Sequence, residues 1–121
     1  MAKRILVIED HEDNRRIMRD LLTSAGYELV EAVTGEDGVA LAETQHPDLI
    51  LMDIQLPGID GYETTRRIKA NPALRRIPII AVTSYALSGD DAKAFEAGCD
   101  GYVAKPFSPR ELLAKVREYV P

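Results

Sequence analysis

The sequence predicts an α/β fold in which a five-stranded parallel sheet is flanked by five helices. First, short apolar runs alternate along the chain with segments that are each long enough for one helix, which is typical of repeated strand-helix units. Second, residues 49–52 form an unbroken apolar run, as expected of a strand that helices cover on both faces. The predicted strands are Arg4–Ile8, Glu28–Ala32, 49–52, Ile79–Thr83 and Gly101–Ala104.

Capping and turn residues define the predicted helices. The helices begin near residues 12, 34, 60, 88 and 108, and the first four end at Ala25, before Pro47, at Asn71 and at Gly98. The fifth has the strongest start signal, because Ser108 suits the N-cap, Pro109 suits the first helical position and Glu111 completes a capping box. Four apolar residues give the first helix its core face: Ile17, Met18, Leu21 and Leu22.

The fifth helix carries an apolar face that is wider than a single stripe. Its members are Leu112, Leu113, Val116, Tyr119 and Val120. A core-facing helix needs only a stripe of apolar residues. We therefore expect part of this face to be exposed.

Composition indicates one soluble domain without a nucleic-acid surface. The 121 residues fit a single domain. Twenty acidic against 15 basic residues give a formal charge of −5, which argues against nucleic-acid binding. No apolar run is long enough for a membrane span or a signal peptide, so a cytoplasmic location is expected. The lone Cys99 is interpreted as a small buried apolar residue.

Several polar residues are interpreted without a chemical role. His11 is expected to open the first helix and to stay chemically idle, because it has no second histidine as a base or ligand partner. His46 is expected in a loop. Asn14 is expected to face solvent, which is the more common case for a polar helix residue, and the alternative is that it steadies the acidic residues from the first helix. Two basic groups are interpreted as solvated helix faces: Arg15, Arg16 and Arg19, and Arg66, Arg67 and Lys69.

Polar side chains end or follow four of the predicted strands. They are Glu9, Asp10, Asp53, Thr83 and Lys105. The carboxyl ends of parallel strands meet at one edge of the sheet, where ligands bind in open α/β folds, so we expect these side chains to share one pocket. Three carboxylates in one pocket repel each other unless a cation is present. Oxygen ligands without Cys or His favour Mg²⁺.

The same pocket has the parts needed to form an aspartyl phosphate. Mg²⁺ and the Lys105 ammonium can neutralise a phosphoryl group while the Asp53 carboxylate attacks it in line, and Thr83 can donate a hydrogen bond to a phosphoryl oxygen. Taken singly, the residues have ordinary explanations as a turn former, a strand residue and a surface charge. Together they place several negative charges close to one another, which does not help the chain to fold. This arrangement favours a functional site.

Four motifs carry a resemblance to a known family. They are Glu9-Asp10, residues 52–61 (MDIQLPGIDG), residues 81–83 (AVT) and residues 104–107 (AKPF). Essentially the full chain resembles the receiver domains of response regulators in bacterial two-component systems, and it is similar to single-domain regulators of the CheY or DivK kind. The resemblance implies one receiver domain over residues 1–121 with no output domain. It also implies the flavodoxin-like strand order 2-1-3-4-5.

The resemblance implies a role for each residue of the pocket. Asp53 would accept a phosphoryl group from a sensor histidine kinase or a histidine phosphotransfer protein, and Lys105 would pair with that group. Mg²⁺ would bind Asp10, Asp53 and the backbone carbonyl of Gln55, and Glu9 would contribute through a metal-bound water. Beyond this self-directed transfer and the hydrolysis of its product, no enzymatic turnover is expected.

Phosphorylation would switch a surface by moving Thr83 toward the phosphoryl group and the Tyr102 ring into the space that Thr83 leaves. The switched surface would be the fourth helix, the fifth strand and the fifth helix, around residues 86–95, Tyr102 and residues 112–119. Its partner would be an unidentified downstream protein, with neither nucleic acid nor membrane involved. A monomer or weak dimer is expected.

The resemblance also singles out the residues that flank the pocket. The Lys105-Pro106 peptide bond would be cis and would help to aim the Lys side chain inward. Ser84 stands where the family usually has Ala, and its hydroxyl is expected to alter access or hydrogen bonding. Gln55 and Tyr85 would lie near the path of the attacking water and set the lifetime of the phosphorylated form, although partner contact or loop packing explains Tyr85 equally well.

Three other functions compete with this interpretation. A flavodoxin-like mononucleotide binder needs a loop that cradles phosphate after the first strand, but residues 9–13 (EDHED) are acidic there. A phosphatase of the haloacid dehalogenase type needs a second Asp two residues after the nucleophile, where this chain has Gln55. A degenerate receiver that acts only as a binding module remains, although the five retained pocket residues count against it.

Overall fold

The computed structural model describes residues 2–83 and 90–121. Five strands form one parallel sheet in the order β2-β1-β3-β4-β5, which confirms the predicted fold class and strand order. The third strand includes Asp53 and is one residue longer than predicted. The strands are β1 (Arg4–Ile8), β2 (Glu28–Ala32), β3 (Leu49–Asp53), β4 (Ile79–Thr83) and β5 (Gly101–Ala104).

One helix follows each strand. The helices are α1 (Glu12–Ser24), α2 (Gly35–Gln45), α3 (Gly61–Ala70), α4 (Asp90–Ala97) and α5 (Pro109–Tyr119). The predicted start of the fourth helix at Ser88 lies outside the described residues. Among the described helices, none has the length and apolar character that crossing a membrane requires.

Side-chain caps explain where three of the helices begin. Thr34, Asp60 and Ser108 each accept a hydrogen bond from the backbone N–H three residues later, at distances of 3.1, 2.9 and 3.1 Å. Each bond satisfies a donor that has no partner inside the helix. At the other end of α2, His46 adopts a left-handed backbone conformation with a φ of 46°.

The core lies on both faces of the sheet. Side chains alternate along β3, so Leu49 and Leu51 pack with α1 and α5 residues, while Ile50 and Met52 pack on the opposite face with residues of α2, α3 and α4. All five residues of β3 are buried. The sheet therefore holds Asp53 at a rigid, enclosed position.

The two predicted apolar helix faces are only partly correct. In α1, Met18 and Leu22 are fully buried but Ile17 is 53% exposed, because it lies at the edge of the face that contacts the sheet. In α5, Leu113 and Tyr119 are half-buried against the core. The wide face of α5 is thus partly exposed at these two residues, and Ile17 of α1 is more exposed than either.

Two basic groups that were interpreted as solvated helix faces contain half-buried side chains that form specific contacts. Arg19 forms a paired contact with Glu31 through Nε and Nη2, both at 2.8 Å, and Arg15 also contacts Glu31. Lys69 donates to the carbonyls of Arg75 and Ile77 and to the Asp100 carboxylate. These side chains hold loops in place.

The loop after β3 approaches α3 so closely that only glycine fits at residue 61. A Cβ there would lie 2.4 Å from the carbonyl oxygen of Asp53 and 2.6 Å from the Cα of Ile54, and both neighbours are backbone atoms. We expect Gly61→Ala to lower the free energy of unfolding by about 1–3 kcal/mol. Urea denaturation measures this, and an unchanged midpoint would show that α3 can move away without cost.

Candidate functional site

Four strands bring polar side chains to one edge of the sheet. Asp53 is the last residue of β3 and lies beside Val82 in the neighbouring strand, while Thr83 ends β4 and lies beside Ala104. Lys105 follows β5 directly, and its backbone N–H donates to the carbonyl of Thr83 at 2.7 Å. Parallel pairing alone therefore places the ends of β3, β4 and β5 next to one another.

An acidic cluster lies at this edge. Glu9 is fully buried and Asp53 is 4% exposed, whereas Asp10 is half-buried. One potential ligand atom from each of Glu9, Asp10, His11 and Asp53 lies within 4.8 Å of the others. Buried carboxylates at this spacing repel one another strongly.

Lys105 supplies a positive charge to the two buried carboxylates. Its Nζ lies 3.0 Å from Glu9 Oε1 and 3.4 Å from Asp53 Oδ1, and the Lys105 side chain is only 18% exposed. The peptide bond between Lys105 and Pro106 is cis. The ammonium thus joins β5 to the acids that follow β1 and end β3.

Backbone donors orient the same carboxylates. The N–H of His11 donates to Glu9 Oε2 at 3.1 Å, and the N–H of Gln55 donates to Asp53 Oδ1 at 3.3 Å. Both hydrogen bonds favour the charged form of the acceptor. Each also fixes the direction of a side chain relative to the loop that follows its strand.

The two buried acids have opposite pKa shifts. Burial, together with the hydrogen bond and the charge of Glu9, raises the pKa of Asp53 from 3.8 to about 7, against the opposing effects of Lys105 and the Gln55 N–H. Burial also acts to raise the pKa of Glu9, but hydrogen bonds from Asp53, the His11 N–H and Lys105 outweigh it and lower that pKa. Of the two acids, Asp53 is therefore the one that takes up a proton as the pH falls through about 7, while Glu9 stays charged.

The cluster fits a hard divalent cation. Asp10 Oδ1 is buried and accepts no hydrogen bond within the described part of the chain, although His11 Nδ1 lies 3.3 Å away. A cation would satisfy this oxygen and relieve the repulsion between the carboxylates. Carboxylate and carbonyl oxygens are the ligands that Mg²⁺ prefers.

Family membership follows from the sequence pattern of the whole fold. The pattern of the family described as Response regulator receiver domain matches residues 5–117. The chain belongs to this family. The match thus identifies a receiver domain of two-component signalling.

Known receiver domains are similar to this one over nearly their whole length. The polar-differentiation response regulator DivK of Brucella ovis is 41% identical over 120 residues, covering 99% of this chain and 98% of the relative. The receiver domain of the sensor histidine kinase PA1611 from Pseudomonas aeruginosa, solved with magnesium in its active site cleft, is 40% identical with a TM-score of 0.93, covering 99% and 98%. Chemotaxis protein CheY4 of Vibrio cholerae is 24% identical with a TM-score of 0.93, covering 98% of this chain and 99% of that protein. It shows the same fold.

The structure brings together most of the residues that the sequence assigned to the pocket of this receiver domain. Glu9, Asp10, Asp53 and Lys105 meet side chain to side chain. Thr83 lies next to them through its backbone and is buried. Ser84 and Tyr85 lie outside the described residues.

The remaining assigned residues lie around the pocket. The side chain of Gln55 is exposed, and its backbone N–H is the group that faces Asp53. Tyr102 is half-buried on β5, where its ring packs edge to face against Phe95 of α4 with centroids 6.2 Å apart. The ring of Tyr102 is thus positioned between the sheet and α4.

Sequence reasoning missed two residues beside the pocket. His11, which was expected to be idle, has Nδ1 within 3.5 Å of Glu9 Oε2 and 3.3 Å of Asp10 Oδ1. Arg15 donates to the backbone carbonyls of Glu9 and Asp10 at 3.1 and 3.3 Å. Arg15 lies about one helical turn after the start of α1. A side chain at that position can reach back to the residues before the helix, and this spacing was the available indication of the contact.

A cavity of about 420 Å³ opens beside the pocket. Asn14 and Ile17 of α1 line one side, and Lys105, Pro106 and Phe107 line the other. Asn14 therefore faces this cavity, although it was expected to face open solvent. The exposed Ile17 contributes an apolar wall close to the buried acids.

Proposed function

We propose that this receiver domain is a phosphorylation-controlled switch in which Asp53 accepts a phosphoryl group from a sensor histidine kinase or a histidine phosphotransfer protein. The observation that carries the proposal is the buried Asp53 carboxylate, held between Lys105 on one side and the acids Glu9 and Asp10 on the other. An ordinary surface aspartate has neither the enclosure nor the paired cation. The output is a change in partner binding.

Each group has a defined task during transfer. An oxygen of the Asp53 carboxylate forms a bond to phosphorus while the bond from phosphorus to the donor nitrogen breaks, and the donor keeps that electron pair. Lys105, which neutralises Glu9 and Asp53 before transfer, then pairs with the phosphoryl oxygens. Thr83 hydrogen-bonds to one of these oxygens. Later attack by water on phosphorus breaks the bond from phosphorus to the Asp53 oxygen, releases inorganic phosphate and regenerates the Asp53 carboxylate.

Mg²⁺ supplies positive charge that offsets the phosphoryl oxygens and the clustered carboxylates. Asp10, Asp53 and the carbonyl of Gln55 would hold it, with Glu9 acting through a metal-bound water. The buried Asp10 oxygen that lacks a hydrogen-bond partner among the described residues supports this assignment. So does the magnesium in the cleft of the PA1611 receiver domain.

Mg²⁺ affinity is expected to depend on pH because a proton and the cation compete for Asp53. The pKa of Asp53 is raised to about 7, so the apparent affinity should rise by up to about tenfold per pH unit below that value and level off above it. Titrations of Mg²⁺ at several pH values, followed by amide NMR shifts, measure this. The Asp53→Asn variant should lose the dependence, and a flat wild-type profile would contradict the assignment.

The cavity beside the pocket suits the approach of the phosphodonor. Ile17 is 53% exposed, and with Phe107 and Pro106 it forms an apolar rim next to Lys105. A donor helix that buries Ile17 would place its phosphohistidine at the mouth of the pocket. Apolar contact of this kind supplies affinity while the polar groups supply orientation.

The output surface comprises α4, β5 and α5, with Tyr102 as its moving part. Tyr102 pairs with Ala81 of β4, and Thr83, two residues after Ala81, lies on the same face of the sheet. Movement of Thr83 toward a phosphoryl group therefore frees space near the Tyr102 ring. Phe95, which is 47% exposed and contacts that ring, then presents a different surface to a downstream protein in the cytoplasm.

Intact mass spectrometry after incubation with acetyl phosphate tests the proposal. Wild type should gain one phosphoryl group in the presence of Mg²⁺ and none in the presence of EDTA. Asp53→Asn should gain none, whereas Asp48→Asn, at the exposed residue that precedes β3, should behave like wild type. A folded wild-type protein that gains no adduct and binds no Mg²⁺ would instead be a degenerate receiver that acts only as a binding module.

A further inference from the structure

Arg15 connects an edge strand to the loop that carries two of the acids. Its Nη1 donates to the carbonyl oxygens of Glu9 and Asp10 at 3.1 and 3.3 Å. Its Nε lies 3.4 Å from Glu31 Oε1, and the Arg15 side chain is only 15% exposed. One guanidinium thus contacts both consecutive carbonyls and a carboxylate on another element.

Glu31 is itself a fixed anchor. It lies on β2 beside Val7 of β1, and Arg19 binds both of its carboxylate oxygens at 2.8 Å. The hydrogen bonds and charge of Arg19 hold the pKa of Glu31 below its usual value. Glu31 therefore stays charged at neutral pH and holds the Arg15 guanidinium against the sheet.

The direction of the acidic side chains depends on this contact. Glu9 and Asp10 follow β1 directly, where the sheet no longer fixes both sides of the backbone. The Glu9 N–H still bonds to the carbonyl of Ala32 at 3.0 Å, but beyond it the carbonyls of Glu9 and Asp10 receive hydrogen bonds from Arg15. Rotation of either peptide group would turn the attached carboxylate away from Asp53.

We propose that Arg15 is a positioning residue for the divalent-cation site, and that it orients Glu9 and Asp10 through their backbone carbonyls. This inference rests on the proposed function, because it takes Mg²⁺ as the occupant of the site. Groups that orient metal ligands typically contribute 10–100-fold to affinity. Arg15 does not touch the cation.

The positioning role and simple electrostatics predict opposite effects. Arg15 is positively charged, so its removal should strengthen the binding of a cation if charge alone matters. Loss of a positioning contact should weaken binding instead. The sign of the change therefore distinguishes the two explanations.

Arg19 provides a matched control on the same helix. It has the same charge and the same partner, Glu31, but within the described part of the chain its guanidinium donates to Glu31 and not to the acidic loop. Substitutions of Arg15 and Arg19 should thus have the same effect on charge, and those of Arg19 remove the shorter contacts to Glu31. Only the Arg15 substitutions remove the hydrogen bonds to Glu9 and Asp10.

The experiment measures Mg²⁺ affinity by amide NMR titration for wild type, Arg15→Met, Arg19→Met, Arg15→Lys and Arg19→Lys, with thermal unfolding in EDTA as a check of folding. We expect both Arg15 variants to bind Mg²⁺ about 10-fold more weakly than wild type and both Arg19 variants to match wild type. If Arg15→Met does not fold, the charge-conserving pair of lysine variants gives the answer.

Two results would overturn the inference. One is an Arg15 variant that binds Mg²⁺ as tightly as wild type or more tightly. The other is an equal loss in the Arg15 and Arg19 variants, which would trace the effect to Glu31 and not to the loop. Wild-type protein that binds no Mg²⁺ would contradict the proposed function itself, and the inference would fall with it.

Discussion

Replacement of Lys105 by Met is expected to destabilise the metal-free protein more than any other single change at the site. Lys105 is the cation that contacts both buried carboxylates, Glu9 at 3.0 Å and Asp53 at 3.4 Å. Without it, two acids remain buried with no compensating charge from this side chain. Loss of one partner from a buried ion pair costs about 3–5 kcal/mol of unfolding free energy.

The same variant should respond to Mg²⁺ more strongly than wild type, because the cation then supplies the charge that Lys105 no longer provides. Urea denaturation in EDTA and in excess Mg²⁺ measures both effects. Lys115→Met is the matched control, since Lys115 pairs only at 3.6 Å with the exposed Glu118 and such surface pairs contribute about 0–1 kcal/mol. Equal stability losses in the two lysine variants would contradict the assigned role of Lys105.

Asp53→Asn is expected to stabilise the metal-free protein above neutral pH. The pKa of Asp53 is raised from 3.8 to about 7 in the folded state. Between these values the folded protein holds a proton that the unfolded chain has released, so the free energy of unfolding falls as pH rises through this window. The asparagine side chain does not ionise, so the variant avoids this loss of stability. We expect its free energy of unfolding to be higher by about 1–3 kcal/mol, since each pKa unit corresponds to about 1.4 kcal/mol.

Urea denaturation in EDTA at about pH 4 and about pH 8, which bracket the window in which Asp53 titrates, tests this prediction. The variant should gain stability relative to wild type mainly at the higher pH. Asp48→Asn, at the exposed residue that precedes β3, should show no such gain. A variant that is less stable than wild type at the higher pH would mean that the Asp53 carboxylate contributes favourable contacts that outweigh its burial.

Most of the fold could be predicted because local patterns and tertiary structure agree. The apolar run of β3 is buried on both faces, as its lack of polar alternation predicts. The capping residues Thr34, Asp60 and Ser108 mark the starts of three helices. Parallel pairing then brings Glu9, Asp53 and Lys105 to one edge without any knowledge of side-chain packing.

Contacts that depend on side-chain direction could not be predicted in this way. Arg15 and Ile17 both lie on α1, and periodicity alone suggested a solvated arginine and a buried isoleucine. In the structure Ile17 is the more exposed of the two. The Arg15 guanidinium instead binds Glu31 on β2 and the carbonyls of the acidic loop. The opposite pKa shifts of Glu9 and Asp53 likewise depend on distances between elements, which a single sequence does not encode locally.

The most direct test of the account is to locate the phosphoryl group. Borohydride reduces an aspartyl phosphate to homoserine, so reduction after treatment with acetyl phosphate and Mg²⁺, followed by tandem mass spectrometry, identifies the accepting residue. Homoserine is expected at residue 53 and nowhere else, with no conversion in EDTA. Homoserine at residue 10 in place of residue 53, or no conversion at residue 53 in folded protein that binds Mg²⁺, would contradict Asp53 as the phosphoryl acceptor.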